Sequence, residues 1–222
     1  MSSPLSVILC LILTVNTSFS QTNKAQVVPW FFPGVIYQAN KKIEIWGQYG
    51  YNYRQGIHAL YLQSFIKTGR HFIFNPAYLY LNIQGPNGTR LQEHTLMNAV
   101  ICTFKINQIV IDDRNMIWNR FRLYGKDIHF YRNRLRFALP FTTHRFLIKP
   151  YLFDEVTFSF NDGRFTRNRL AVGLSCKVTK WSLLDVTWLR EYDKLNGNTN
   201  LFFVTGLLEL SHRKVERNSQ QK

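Results

Sequence analysis

Apolar and polar residues alternate with a period of two along most of the chain, the pattern of β-strands with two unlike faces. Segment 167–178 shows it best. Leu170, Val172, Leu174, Cys176 and Val178 fall on one face, and Arg167, Arg169, Ala171, Gly173, Ser175 and Lys177 on the other. In 131–141, Tyr131, Leu135, Phe137, Leu139 and Phe141 oppose Arg132, Arg134, Arg136 and Ala138, with Asn133 the exception. In 42–54, Ile43, Ile45, Tyr49, Tyr51 and Tyr53 oppose Glu44, Trp46, Gln48, Asn52 and Arg54. Turn chemistry interrupts the pattern at Asn40-Lys41, Thr68-Gly69, Gly85-Pro86-Asn87-Gly88, Gly125-Lys126, Asn161-Asp162-Gly163 and Asn196-Gly197. No amphipathic helix follows residue 26.

The breaks predict strands at 27–39, 42–54, 57–67, 71–84, 91–105, 107–124, 127–141, 144–160, 164–178, 181–193 and 199–211. These are long for globular strands and long enough to cross a bilayer at a tilt. Long alternating strands joined by short turns either stack as two sheets or close into a barrel, which leaves no unpaired edge. Bacterial single-chain outer-membrane barrels have even strand numbers. The expectation is therefore ten or twelve strands in an all-β, antiparallel, up-and-down transmembrane barrel. The weak segments are 27–39, which contains Pro29 and Pro33, and 107–124, where Asp112-Asp113-Arg114-Asn115 could bend or divide a strand.

The N-terminus differs from the rest. Residues 1–20 carry no charge and hold an apolar run from Leu5 to Val15, followed by small polar residues ending Ser18-Phe19-Ser20. This is the form of a cleaved secretory signal peptide, with the cut placed after Ser20. Cys10 follows Leu9, where a lipoprotein needs a small residue. The expected organisation is a signal peptide at 1–20, a barrel domain at 21–212 and a polar tail at 213–222. The expected location is the outer membrane, with a periplasmic or secreted protein as the alternative. Cys102 and Cys176 remain, and could be bonded or stand as free thiols in an apolar medium. No metal-ligand spacing is present and no cofactor is expected.

Lys and Arg number 28 against 13 Asp and Glu, a formal charge of +15, which taken alone points to nucleic acid. An exported chain whose arginines sit on alternate strand positions argues against that partner. Ten of the sixteen arginines lie between 114 and 169. Arg120, Arg122, Arg132, Arg134, Arg136, Arg167 and Arg169 share the polar parity of their strands. In a membrane barrel that face lines the lumen; in a soluble lipocalin-like barrel it faces water. Alternation alone permits both. The export signal, the strand lengths and aromatics near strand ends favour the membrane. A basic lumen then contains these seven arginines with Lys149, Tyr151 and Glu155, either as a structural ladder or as a site that binds or passes a small anionic solute. The implied partners are outer-membrane lipid and, during biogenesis, the barrel-assembly machinery.

Three motifs lie in order on long alternating strands: Arg-Asn-Arg-Leu-Arg at 132–136, Lys-Pro-Tyr-Leu-Phe-Asp-Glu at 149–155 and Arg-Asn-Arg-Leu-Ala-Val-Gly-Leu at 167–174. Together they resemble the bacterial family catalogued as domain of unknown function 2490, over about residues 27–211. The resemblance implies an exported barrel-like protein of the outer membrane and no particular activity. Unlike many such barrels, the chain runs past Leu210 into a polar tail. A small lipid-modifying barrel enzyme would need a nucleophile and a base. No Gly-x-Ser-x-Gly is present, and the six histidines are scattered. Asp154 and Glu155 are neighbours on a strand and so point to opposite faces. The chain is therefore expected not to be an enzyme.

Overall fold

The computed structural model describes residues 27–85, 88–123, 125–143, 146–194 and 197–211. The expected signal peptide at 1–20 and tail at 213–222 lie outside the described residues. Strands β1 (Val27–Gln38), β2 (Ile43–Asn52), β3 (Ile57–Lys67), β4 (Phe72–Gln84), β5 (Arg90–Ile106) and β6 (Ile109–Arg122) form the first half. Strands β7 (Ile128–Ala138), β8 (Phe141–Thr143), β9 (Phe146–Ser159), β10 (Arg164–Thr179), β11 (Ser182–Asp193) and β12 (Gly197–Ser211) form the second. Neighbours in sequence pair antiparallel, except that β7 and β8 both pair with β9, and β12 pairs with β1, so the sheet closes on itself.

Of these twelve strands, eleven are staves of the ring. The short β8 pairs the start of β9 beyond the end of β7, so the two are one stave interrupted at Leu139 and Pro140. Proline brings no N–H to the ladder, which accounts for the gap. An up-and-down chain reverses at every hairpin, so with eleven staves the first and last run the same way. Strands β1 and β12 accordingly pair in parallel, from Val27↔Asn200 to Gln38↔Ser211. This corrects the wholly antiparallel expectation at one seam. The even-number expectation followed from the usual hairpin count; hydrogen bonding itself permits odd closure with one parallel pair. Segment 27–39 is a continuous strand despite its prolines, and Asp112–Asn115 does not break β6. The β5–β6 turn is tight, with Asn107 at φ 52°, a left-handed conformation that Asn tolerates better than most residues.

The parity read from sequence sorts the faces. Leu170 is 52% and Val172 47% exposed on the outside, whereas Ala171 between them is fully buried. Outward apolar residues recur around the ring, including Leu60, Leu62, Val100, Leu152 and Leu208. Arg114, Arg120, Arg132, Arg134, Arg136, Arg167 and Arg169 point inward, the reverse of what a soluble barrel with an apolar interior requires. The outside also carries polar groups, one cluster of them on β6 and β7. There Asp113 accepts hydrogen bonds from Asn115 at 3.1 Å and Asn133 at 2.6 Å, so both carboxylate oxygens are occupied.

The lumen is packed in places rather than open throughout. Met97, Ala99, Met116, Trp118 and Phe130 form a buried cluster on β5–β7, with Tyr61 and Leu79 against it. Phe153, Ala171 and Leu189 form a second on β9–β11, joined by Tyr151, Leu201 and Phe203. Tyr61 beside the first cluster, and Phe153, Leu189, Tyr151 and Phe203 of the second, also line the space in which the arginines meet. Cys102 and Cys176 are free thiols.

Candidate functional site

Strands β6, β7, β9 and β10 are neighbours in the ring, and their inward residues meet at one carboxylate. Glu155 of β9 is 2% exposed. It accepts from Arg114 at 3.0 Å, from Arg169 at 3.3 Å and from Arg132. The convergence follows from register, since Arg134↔Glu155 and Arg169↔Glu155 are cross-strand pairs and Arg114↔Arg134 is the next. Arg169 continues to Glu191 at 2.6 Å, and Arg167 bonds Asp193 at 2.6 Å. Arg136 pairs with Asp112. Guanidiniums also stack on rings: Arg132 lies 4.1 Å from the Trp118 centroid, Arg134 5.3 Å from Phe153 and Arg136 5.7 Å from Tyr151.

Arg134 is the exception. Among the described residues no acceptor bonds it, and its Nε is buried without a partner. The Nε atoms of Arg114 and Arg132 are likewise buried and unpaired. Buried polar groups in folded proteins are ordinarily hydrogen-bonded. Arg134 as a whole is only half-buried, so the departure lies at its Nε. Arg134 lines a cavity of about 300 Å³ together with Arg114, Arg132, Arg136, Glu155 and Arg169. Gln48, Tyr61, Phe32, Phe203, Thr205, Thr187, Leu189, Phe153 and Tyr151 complete the lining.

A family model described as "Protein of unknown function (DUF2490)" matches residues 13–201. The chain belongs to the DUF2490 family. No curated protein matches the chain. Among solved structures, LpxR from Salmonella typhimurium superposes with a TM-score of 0.53 at 6% identity, covering 78% of this chain and 85% of that one. The beta domain of the Bordetella autotransporter Brka gives 0.48 at 14% identity, covering 76% and 82%. The likeness to LpxR is one of fold: a closed β-barrel of similar extent.

Within this DUF2490 barrel, the residues singled out from sequence do not all meet. Arg132, Arg134, Arg136, Tyr151, Glu155 and Arg169 share the cavity. Arg120 and Arg122 belong to a separate cluster on Glu93, which Arg120 holds through two bonds of 2.7 Å and Arg122 through one of 3.1 Å. Arg167 is taken up by Asp193 and Glu191. Lys149 shares the parity of Tyr151 but does not line the cavity.

Sequence reasoning missed Arg114 because its stretch was read as a possible bend. Its parity with Arg120 and Arg122 was the available signal. It also undercounted lumen acids: Glu93, Asp112, Glu191 and Asp193 all pair inward with arginines. The lumen is thus closer to neutral than the arginine count suggests, which makes the unpaired Arg134 stand out. The apolar lining, Phe32, Phe203 and Leu189, carried no signal beyond inward parity.

Proposed function

We propose that this DUF2490 member is an outer-membrane β-barrel that binds a small anionic solute in its lumen, as a binding site rather than a catalytic one. The observation that carries the reading is Arg134, a guanidinium without a carboxylate partner on the wall of a cavity. Four other arginines line that cavity against the single carboxylate Glu155. An anion there supplies the missing acceptor, and charge-assisted bonds to guanidinium are the strong kind.

The apolar outer face supports a membrane setting, because lipid-facing positions of such barrels alternate with lumen positions. The two packed clusters support binding over conduction, since side chains occupy much of the lumen. The placement of His58, His94 and His129 supports a non-catalytic role. His58 bonds Tyr49 and His94 bonds Tyr78 on the outer face, and His129 bonds Asn119.

Two measurements test the reading. In cell fractions, the protein is expected to stay with the outer membrane through high-salt and carbonate washes, and aspartates at both Val172 and Leu174 are expected to block assembly there. Release of the wild-type protein into the soluble fraction contradicts the membrane part. In calorimetric titrations with a panel of small anions at fixed ionic strength, at least one is expected to bind the purified barrel. Arg134→Gln is expected to weaken it about ten-fold or more, the scale of one charged hydrogen bond. Equal binding by the variant contradicts the anion part.

A further inference from the structure

The cavity is two-sided in chemistry. The unpaired guanidinium of Arg134 sits on β7. In an eleven-stave ring the staves facing β7 are β1 and β2, with β12 and β3 beside them. These contribute Phe32, Gln48, Phe203 and Tyr61 to the lining. Phe32 stacks on Trp30 at 5.5 Å and on Phe203 at 6.1 Å, a continuous aromatic wall across β1 and β12. Next to Arg134, Tyr151 and Phe153 stack at 6.4 Å with their planes 11° apart.

Two glycines make room for this wall. A Cβ at Gly50 of β2 would overlap the Phe32 ring, and a Cβ at Gly173 of β10 would overlap the Tyr151 ring. Each ring therefore lies down over the bare backbone of its neighbour strand instead of standing into the lumen. Neither glycine has a positive φ, so close approach is the local reason for them. Tyr151 is fixed in place by donating to Asp185 at 2.8 Å. The space left is about 300 Å³, at the small end of organic-ligand pockets and far larger than one tetrahedral oxyanion needs.

We infer that the lumen site takes a compact organic anion, one carboxylate-like head on a flat apolar body, with the head on Arg134 and the body between Phe32, Phe203 and Tyr151. The inference rests on the anion reading above and narrows it. A single unpaired guanidinium calls for one charged group, and the aromatic surface gains only if an apolar body displaces water from it. Inorganic phosphate uses the head position and leaves the wall wet.

The test is calorimetric titration of the full chain, purified as a folded barrel, with three probes: 3-phenylpropionate, acetate and inorganic phosphate. Phenylpropionate is expected to bind at least about ten-fold tighter than acetate, the contribution of a buried apolar body. Gly173→Ala and Gly50→Ala are expected to drive a ring into the cavity and reduce phenylpropionate affinity about ten-fold or more. Phe203→Leu, which keeps the volume apolar, is expected to reduce it less while the barrel remains folded. Acetate or phosphate binding as tightly as phenylpropionate, with all three lost in Arg134→Gln, overturns the organic-anion inference and leaves the anion site standing. Unchanged phenylpropionate affinity in both glycine variants overturns it as well. Binding of none of the three probes overturns the inference together with the anion reading it rests on.

Discussion

Glu93 and Glu155 both gather arginines inside one barrel, and they do so to different ends. At Glu93 two guanidiniums meet one carboxylate, Arg120 in a two-pronged grip and Arg122 at the edge, where its side chain keeps 35% of its exposure. None of these three residues lines the cavity at Glu155. At Glu155 three guanidiniums crowd one carboxylate and a fourth, Arg134, has none. The chemistry is the same and the stoichiometry differs. A saturated cluster stiffens the wall; an unsaturated one next to a cavity has capacity for a ligand.

The largest expected effect comes from removing the over-used acid. Glu155→Gln leaves Arg114 and Arg132 without their carboxylate in a buried place, Arg169 keeping only Glu191, and removing one partner of a buried pair costs about 3–5 kcal/mol. Denaturant unfolding of the purified barrel should show this loss. Glu93→Gln should cost less, because Arg122 can turn to water. Equal losses would erase the distinction between the clusters. Next in size is Arg120→Gln, which breaks a two-pronged charged contact and should cost about 1.5–3 kcal/mol while leaving anion binding intact. Arg134→Gln should do the opposite, weakening binding about ten-fold or more with little loss of stability, since no acceptor bonds the native group. The smallest effect belongs to Thr95→Val. Its hydroxyl reaches Glu93 at 3.4 Å, a long bond beside a carboxylate already held by arginine, and about 0.5 kcal/mol or less is expected.

Much of this arrangement is legible in the sequence, for a physical reason. Strand side chains alternate with a period of two, so parity alone places Arg132, Arg134 and Arg136 together and opposite Leu135 and Phe137. All eleven expected segments coincide with staves. Three things were hidden because they depend on how the strands come together, which period-two patterning leaves free. One is the pairing of Arg120 and Arg122 with Glu93, 27 and 29 residues away. Another is the approach of Arg114 to Glu155, 41 residues away. The third is the parallel seam, because whether β1 meets β12 in parallel depends on the number of turns, not on any residue in either strand. The laying of Phe32 over Gly50 is hidden in the same way. In sequence that glycine is a gap in an aromatic run, and only the neighbouring strand gives it a purpose.

The most direct test of the excess charge is to ask where an anion settles. Crystals of the barrel grown in bromide, measured at the bromine absorption edge, would place halide ions by their anomalous signal. The account predicts a bromide in the cavity within bonding distance of the Arg134 guanidinium, and none at Arg120 or Arg122. An empty cavity, or a bromide on the Glu93 cluster in its place, would contradict it.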